Sequence, residues 1–328
     1  MTPPRAGEFD LIARHFAPLA REGRVSAFDL RDDAAMLRSR AGHDFVVTAD
    51  ALVAEIHFFT DDPPDLIARK ALRTNLSDLA AKGARPVAYL LCLALPAAID
   101  EAWIAAFARG LAEDQAHFAI ALAGGDTTST PGSLVVAITA IGEVPAGRML
   151  RRAGASIGDD IWVSGTIGDG ALGLRALRGT LDADDAARAA LIDRYRLPRP
   201  RLELGLALQP LGVVAMDVSD GLFQDLGHIV RFAGAGAVID EALVPLSPAA
   251  RVARMRAPEL VETIVTGGDD YELLVVAPVS QASALIAAAQ AARTDLTRIG
   301  RVVAGDAVEL RSEDGQLRRF AKGGWTHF

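Results

Sequence analysis

The segment Asp217-Val218-Ser219-Asp220-Gly221 carries the most information about the fold. It follows the apolar residues Val213 to Met216, which predict a buried strand, and it leads into a helix predicted over residues 221–233. Alternation along a strand predicts that Asp217 and Ser219 share one face. Acid side chains are rarely buried unless they are paired or bind a metal. Two aspartates between a strand and a helix N-terminus therefore indicate a site for a cation and a phosphate.

Aspartates recur in similar short segments along the chain. These segments are Arg31-Asp32-Asp33, Thr48-Ala49-Asp50, Asn75-Leu76-Ser77-Asp78, Gly124-Gly125-Asp126-Thr127 and Gly267-Gly268-Asp269-Asp270. Carboxylates in several apolar segments predict one site where they converge, and such oxygen ligands suit Mg²⁺, which usually binds together with phosphates. We therefore expect an enzyme that handles phosphates. For each segment alone, an ordinary turn or a solvated helix face remains the alternative.

The composition excludes several classes of protein. The chain has 328 residues, of which 51% are hydrophobic, and this is enough for two ordinary domains. Its net charge of −8 argues against nucleic acid or an anionic membrane as the main partner. Cys92 is the only cysteine, which fits a reducing compartment. Because neither a signal segment nor a run long enough to span a bilayer is evident, we expect a cytoplasmic protein.

The hydrophobic pattern predicts two domains that mix helices with strands. In the first half we predict helices over residues 8–16, 63–82 and 100–115, and strands over residues 44–49, 87–95, 118–123 and 133–141. In the second half we predict strands over residues 160–164, 213–216 and 273–276, and helices over residues 183–195 and 221–233. Asp50 would end the first strand, and Gly124 to Thr127 would form a turn between two strands. A boundary is expected between residues 145 and 158, where a sustained apolar period is missing.

Two familiar motifs do not fit. Gly168 to Gly173 matches the spacing of a dinucleotide-binding loop, but Asp193, at the expected distance, lies in a predicted helix, so a strand-to-helix turn is favoured. Ser219 stands in Asp-x-Ser-x-Gly, which is not the sequence around a serine nucleophile.

His57 among aromatic residues and the arginines near Arg152 are open to a structural or a phosphate-binding interpretation.

Taken together, the segments resemble the thiamine-monophosphate kinases, which belong to the ATP-binding superfamily that includes aminoimidazole ribonucleotide synthetase. The resemblance covers nearly the whole chain in one order. It is carried by Gly7-Glu8-Phe9, Asp32-Asp33, His57-Phe58, Asn75 to Ala81, Gly124 to Thr128, Ser164-Gly165-Thr166, Asp217 to Leu222, Asp225 to Ile229, Gly267 to Leu273 and Trp325-Thr326-His327-Phe328.

The resemblance implies a two-domain PurM-like fold of the α+β or α/β class. Residues 1–150 would bind ATP and Mg²⁺, and residues 151–328 would complete the active-site cleft. The implied reaction is phosphorylation of thiamine monophosphate to thiamine diphosphate, with ATP as co-substrate and several Mg²⁺ ions as cofactors. The resemblance also implies a homodimer whose N-terminal mixed sheets pair through their strands.

Residue roles follow from the matching motifs. The metal shell would comprise Asp33, Thr48, Asp50, Asp78, Asp126, Asp217 and Asp220. The catalytic residues would be Asp33, Asp78, Asp217 and Asp220. ATP would contact Gly125, Asp126, Arg152 and Ser219, and the thiamine end would face His57, Asp269 and Trp325.

The chain departs from the family pattern at three positions. Arg31 replaces a usual glycine, Ala49 replaces a hydroxyl residue, and Asp269 stands where glutamate is common. These departures bear on metal contacts and substrate reach rather than on the reaction class. An aminoimidazole ribonucleotide synthetase-like enzyme, a non-catalytic nucleotide-binding paralogue and a metal phosphohydrolase remain the alternatives.

Overall fold

The computed structural model describes residues 6–20 and 25–326, and the chain divides into two units. The N-terminal unit comprises residues 1–79 and 84–147, and the C-terminal unit comprises residues 80–83 and 148–328. Both units combine mixed sheets with helices, as the predicted fold class requires. No helix in the described ranges is long and apolar enough to cross a membrane.

A four-stranded sheet forms the centre of the N-terminal unit. The elements of this unit are α1 (Glu8–Leu11), β1 (Val25–Ser26), β2 (Met36–Leu37), β3 (His43–Val53), α2 (Pro64–Ala81), β4 (Arg85–Pro96), α3 (Glu101–Phe118), β5 (Ala121–Thr130) and β6 (Val135–Pro145), and a π-helical turn over Ile12–Phe16 extends α1. The strand order is β3-β6-β4-β5. β6 is antiparallel to both β3 and β4, whereas β4 and β5 are parallel and are joined by the crossover helix α3.

Local sequence signals define the two long helices. α2 begins at Pro64, where a missing N–H costs nothing, and it ends just before Gly83, which has a positive φ of 64°. α3 is capped by Asp100, whose Oδ1 accepts a hydrogen bond from the Trp103 N–H at 2.8 Å. A Cβ atom on Gly110 would lie 2.3 Å from the Asp65 carbonyl oxygen, so glycine permits the close approach of α3 to α2. The predictions for these helices are confirmed.

Two predictions for the sheet are wrong. β3 runs on to Val53, so Asp50 lies within the strand and not at its end, because β6 continues as its partner over this whole length. Gly124 to Thr127 lie inside β5 and form no turn, because they pair with β4 in a parallel ladder. Pairings of this kind join residues that are distant in sequence, and local glycine content does not reveal them.

A seven-stranded sheet with helices forms the C-terminal unit. The elements are β7 (Asp160–Ser164), α4 (Asp169–Leu177), α5 (Asp185–Arg196), α6 (Leu202–Leu208), β8 (Val214–Asp217), α7 (Leu222–Ala233), β9 (Gly236–Asp240), α8 (Pro248–Arg256), α9 (Leu260–Thr266), β10 (Leu273–Ala277), α10 (Ala282–Ala291), β11 (Leu296–Val303), β12 (Val308–Arg311) and β13 (Leu317–Arg318). The strand order is β13-β12-β9-β11-β7-β10-β8. Ile161, Leu226 and Leu274 belong to its fully buried apolar core, which fixes the end of β8 and the start of α7.

A buried ion pair joins α2 to α3. The Asp114 carboxylate is fully buried, and it accepts hydrogen bonds from Arg73 at 2.6 and 2.8 Å and from Arg69 at 3.1 Å. Removal of one partner leaves the other charge buried without its counter-ion. This pair therefore holds in place the helix that carries Asp78.

We expect Asp114→Ala to lower the free energy of unfolding by about 3–5 kcal/mol, since it removes the buried carboxylate that pairs with the buried Arg73 guanidinium. The measurement is urea denaturation of the full chain. Glu113→Ala is the control: Glu113 is 61% exposed and pairs with the same Arg69, so its loss should cost about 1 kcal/mol or less. Equal losses in the two variants would contradict a stabilising role of the buried pair.

Candidate active site

Thr48, Asp50 and Asp78 lie on one side of the N-terminal sheet. Thr48 and Asp50 are two residues apart on β3, so they share a face with the buried Val46 and Leu52. The Thr48 hydroxyl donates a hydrogen bond to Asp78 Oδ2 on α2. The strand and the helix thus bring together the Thr48 hydroxyl and the Asp78 carboxylate, and Asp50 lies on the same face of β3. Ala49 points to the opposite face, so the departure at this position leaves the contact between Thr48 and Asp78 unchanged.

Asp33 and Asp126 line a separate cavity of about 580 Å³ in the same unit. Gly125 has a φ of 151°, and a Cβ atom there would lie 1.7 Å from the Leu91 carbonyl oxygen, so only glycine fits. The ladder between β4 and β5 shifts register just before this point, and Asp126 lies opposite Cys92. Gly124 and Gly125 therefore place Asp126 at the wall of the cavity.

The five predicted metal-binding residues of the N-terminal unit thus form two groups. Asp50 lies on β3 and Asp126 lies on β5, which are the outer strands of the sheet. Three inter-strand spacings separate these strands, which corresponds to roughly 14 Å. Within this unit the Thr48 hydroxyl contacts Asp78, and Asp33 and Asp126 line one cavity.

In the C-terminal unit, Asp225 organises the segment that connects β8 to α7. Its Oδ2 accepts hydrogen bonds from the backbone N–H groups of Ser219, Asp220 and Gly221, at 3.0, 3.1 and 3.2 Å. β8 ends at Asp217, so the prediction that Asp217 and Ser219 share a strand face is wrong. Ser219 instead belongs to a loop that is wrapped around the carboxylate of Asp225.

Three carboxylates interact around this loop. Burial raises the pKa of the Asp225 carboxyl well above its usual range, and the negative charges of Asp217 and Asp220 raise it further. Asp217 is itself buried. Like charges in such a space repel each other unless one is protonated or a cation is bound, so this loop is suited to a cation. The sequence did not indicate the role of Asp225, although its place in the first turn of the helix after the motif was a usable signal.

Trp325 is bound to the same loop. Its backbone N–H donates to the Asp220 carbonyl oxygen at 2.9 Å, and the Gln224 side chain donates to the Trp325 carbonyl oxygen at 2.5 Å. The Trp325 side chain is half exposed beside the acidic loop. His327 and Phe328, the rest of the motif, lie outside the described residues.

Arg152 and α7 form a neighbouring group of cationic and aromatic side chains. The Arg152 guanidinium lies 5.5 Å from the ring centroid of Phe232, which is largely exposed. Burial lowers the pKa of the His228 imidazole, and the charges of Arg231 and Arg152 lower it further. Phe232 was not predicted. Its position seven residues after Asp225 places it on the same face of α7, which is the signal that could have identified it.

The acidic segment from Gly267 to Glu272 gives its three acids different environments. Glu272 is fully buried and accepts hydrogen bonds from Arg201 at 2.5 and 2.6 Å, from Arg194 at 3.1 Å and from the Ser164 hydroxyl at 2.6 Å. Two arginines therefore offset the charge of the buried Glu272 carboxylate.

Asp270 and Asp269 complete this segment. The Asp270 carboxylate accepts the N–H groups of Gly168 and Gly170 at 2.7 and 3.0 Å, and burial raises its pKa well above the usual range. The Gly168 turn thus binds a protein carboxylate at the start of α4, as a strand-to-helix turn. Asp269 adopts a positive φ of 68°, and its N–H donates to the Ser219 carbonyl oxygen at 2.9 Å. Asp269, which was predicted to face the thiamine end, and Ser219, which was predicted to contact ATP, are therefore neighbours.

His57 follows β3 in the N-terminal unit. Its Nδ1 lies 3.0 Å from the Val53 backbone N–H and accepts a hydrogen bond from it, so the ring proton is on Nε2. The buried Lys70 ammonium donates to the His57 carbonyl oxygen at 2.9 Å. These contacts fix the ring as a hydrogen-bond donor through Nε2.

Comparison with known proteins identifies the family. Family models described as AIR synthase related protein, N-terminal domain and C-terminal domain, match residues 31–144 and 156–313. A thiamine-monophosphate kinase of Caulobacter vibrioides is 46% identical over 98% of this chain and 90% of its own length. The crystal structure of thiamine-monophosphate kinase from Stenotrophomonas maltophilia K279a is 41% identical, covers 95% of this chain and 98% of its own, and has a TM-score of 0.84.

The chain belongs to the thiamine-monophosphate kinase family. A further similar structure is AaThiL complexed with AMPPCP and TMP, which is 27% identical, covers 89% of each chain and has a TM-score of 0.76. The predicted family and two-domain fold are therefore confirmed.

The side chains of this member of the thiamine-monophosphate kinase family fit Mg²⁺. Among the described residues, no group of three or more carboxylate, imidazole or thiol side chains is placed to hold an ion by itself. Mg²⁺ does not need such a group, because it commonly binds through one or two carboxylates together with phosphate oxygens and water. Thr48 with Asp78, Asp33 with Asp126, and Asp217 with Asp220 supply hard oxygen atoms of this kind.

Proposed function

We propose that this chain transfers the γ-phosphoryl group of ATP to thiamine monophosphate and so forms thiamine diphosphate. The observation that carries the proposal is the 46% identity to a thiamine-monophosphate kinase over nearly the full length of both chains. The complex of AaThiL with AMPPCP, an ATP analogue, and TMP supports the choice of both substrates. The carboxylate pairs, the Asp225-bound loop and the half-exposed Trp325 are the local features that agree with it.

The proposed mechanism is direct in-line transfer. A terminal phosphate oxygen of thiamine monophosphate attacks the γ-phosphorus; the new P–O bond forms as the bond to ADP breaks, and ADP leaves with the electron pair. The attacking oxygen is already ionised near neutral pH, so a strong general base is unnecessary. The main barrier is the repulsion between two polyanions, so the chain's task is to position them and to offset their charge.

The proposed residue roles follow from this requirement. Mg²⁺, bound by Asp33, Thr48, Asp50, Asp78, Asp126, Asp217 and Asp220, would supply charge neutralisation at the phosphates. Gly125 and Ser219 would approach ATP through the backbone, and Arg152 would pair with its phosphates. His57, Asp269 and Trp325 would bind the thiamine end, with Nε2 of His57 as a donor and the indole as a stacking surface.

We also propose that the active form is a homodimer in the cytoplasm. Support for the dimer comes from β3, an outer strand of the N-terminal sheet on which Phe45 is 38% exposed and Val47 is 62% exposed. Exposed apolar side chains on an outer strand suit pairing with a second copy. The single cysteine agrees with a reducing compartment.

The proposal is tested by mixing purified full-length protein with ATP, Mg²⁺ and either thiamine monophosphate or thiamine. We expect thiamine diphosphate and ADP to appear in equal amounts from the monophosphate. ATP binding without product would contradict the proposal and favour a non-catalytic paralogue. Phosphate release without an acceptor would favour a phosphohydrolase.

Asp78→Asn tests the metal shell in the same assay. We expect turnover to fall by about 10²-fold or more, because an amide cannot replace a charged metal ligand. The fold should survive, since the amide oxygen can still accept the Thr48 hydrogen bond. Asp61→Asn, at an exposed position of the same unit, is the matched control and should retain full activity. Near-normal turnover of the Asp78 variant would remove this residue from the metal shell.

A further inference from the structure

The C-terminal end of the described chain lies against the first turn of α7. Residues 319–326 form neither helix nor strand, so contacts with other elements determine where they lie. The Phe320 ring packs edge to face against the Phe223 ring of α7, with 5.3 Å between the two centroids. A Cβ atom on Gly324 would lie 2.5 Å from the Asp220 carbonyl oxygen, so glycine permits the close approach of this segment to the loop between β8 and α7.

The Gln224 side chain connects this C-terminal segment to a proposed metal ligand. Its Nε2 donates hydrogen bonds to Asp220 Oδ2 at 3.2 Å and to the Trp325 carbonyl oxygen at 2.5 Å. Both partners are acceptors, so the nitrogen of the amide, and not its oxygen, must face them. An amide nitrogen carries two hydrogen atoms and can serve both acceptors at once, whereas a hydroxyl group carries one.

Asp225 leaves the Gln224 amide available for these two contacts. A glutamine at the third position of a helix commonly accepts the backbone N–H group of the residue that caps the helix. In α7 that capping residue is Gly221, and its N–H is taken by the Asp225 carboxylate at 3.2 Å. The Gln224 side chain is therefore free to donate toward Asp220 and Trp325.

We propose that Gln224 is a positioning residue for the thiamine end of the substrate and that it acts through Trp325. This inference rests on the proposed kinase function, in which Trp325 binds the thiamine end. Gln224 holds the Trp325 carbonyl group beside the Asp220 carboxylate, and the Trp325 N–H donates to the Asp220 carbonyl oxygen at 2.9 Å. A substrate contact and a metal ligand are thus bonded to each other, which aligns the acceptor substrate with the metal-bound phosphates before they react.

Gln224→Met tests this role, because it keeps the length of the side chain and removes both donors. We expect KM for thiamine monophosphate to rise about fivefold or more, whereas kcat and KM for ATP stay within about twofold, since the lost contact serves substrate binding. The measurement is steady-state formation of thiamine diphosphate by the full chain. Gln290→Met makes the same change at an exposed position of α10 and should leave these values unchanged.

A double variant tests whether the effect of Gln224 passes through the tryptophan. In a Trp325→Ala background, Gln224→Met should not raise KM for thiamine monophosphate further, because the contact that it positions is already absent. Additive effects of the two changes on KM would overturn the proposal. A lower kcat with an unchanged KM would also overturn it, because Gln224 would then act through the metal ligand Asp220.

A ligand-free measurement separates this inference from the kinase function. Hydrogen exchange of the Trp325 amide, followed by mass spectrometry of the C-terminal peptide without ATP, Mg²⁺ or substrate, reports how firmly the segment is held. Gln224→Met should accelerate this exchange roughly fivefold or more, and Gln290→Met should not. Gln224→Glu should accelerate it as well, because a carboxylate offers no donor, although an acid in the first turn favours the helix and so preserves the fold.

The two measurements fail in different ways. Unchanged exchange in both Gln224 variants would overturn the positioning role, whether or not the protein makes thiamine diphosphate. Faster exchange with an unchanged KM would also overturn it, because Trp325 would then be displaced without effect on the substrate. A wild-type protein that makes no thiamine diphosphate would contradict the proposed function, and the exchange result would still decide whether Gln224 holds Trp325.

Discussion

Repulsion between carboxylates that share a confined, poorly hydrated space is the constraint on which the rest of the structure depends. In the C-terminal unit it acts among Asp217, Asp220 and Asp225, and it raises the pKa of the Asp225 carboxyl, which burial has already raised. Asp225 shapes the loop by accepting three backbone N–H groups. That loop in turn binds the backbone of Trp325 and of Asp269. One buried side chain therefore positions the residues proposed for metal, nucleotide and substrate in this unit.

The N-terminal unit meets the same constraint by separating its acids. β3 and α2 bring Thr48 to Asp78, while the glycine-rich part of β5 places Asp126 in a cavity with Asp33. Each small group suits an ion that arrives with phosphate oxygens, rather than an ion held by protein ligands alone. The ion pair between Arg73 and Asp114 lies outside the proposed set of ligands, and it fixes the helix that carries Asp78. Stability and function are thus connected through α2.

The sequence predicted the features that depend on local chemistry. Pro64 and Asp100 marked the starts of α2 and α3, because an imino ring and a capping carboxylate act within one turn of a helix. It failed where distant segments decide the outcome: Gly125 lies in a strand because β4 pairs with it. The role of Asp225 left a local signal in the first turn of the helix after the motif, but its burial depends on elements far away in the sequence. The sequence motifs identified the acidic residues of the site. Only the fold shows that Asp50 and Asp78 lie apart from Asp33 and Asp126 in the N-terminal unit.

The central claim is that the phosphoryl group passes directly from ATP to thiamine monophosphate, without a covalent intermediate on any of these carboxylates. The most direct test uses ATP whose γ-phosphorus is made chiral with oxygen isotopes, followed by determination of the configuration at the transferred phosphorus in thiamine diphosphate. A single in-line displacement predicts inversion of configuration. Retention would require two successive displacements, and therefore a phosphorylated side chain, and it would contradict the account.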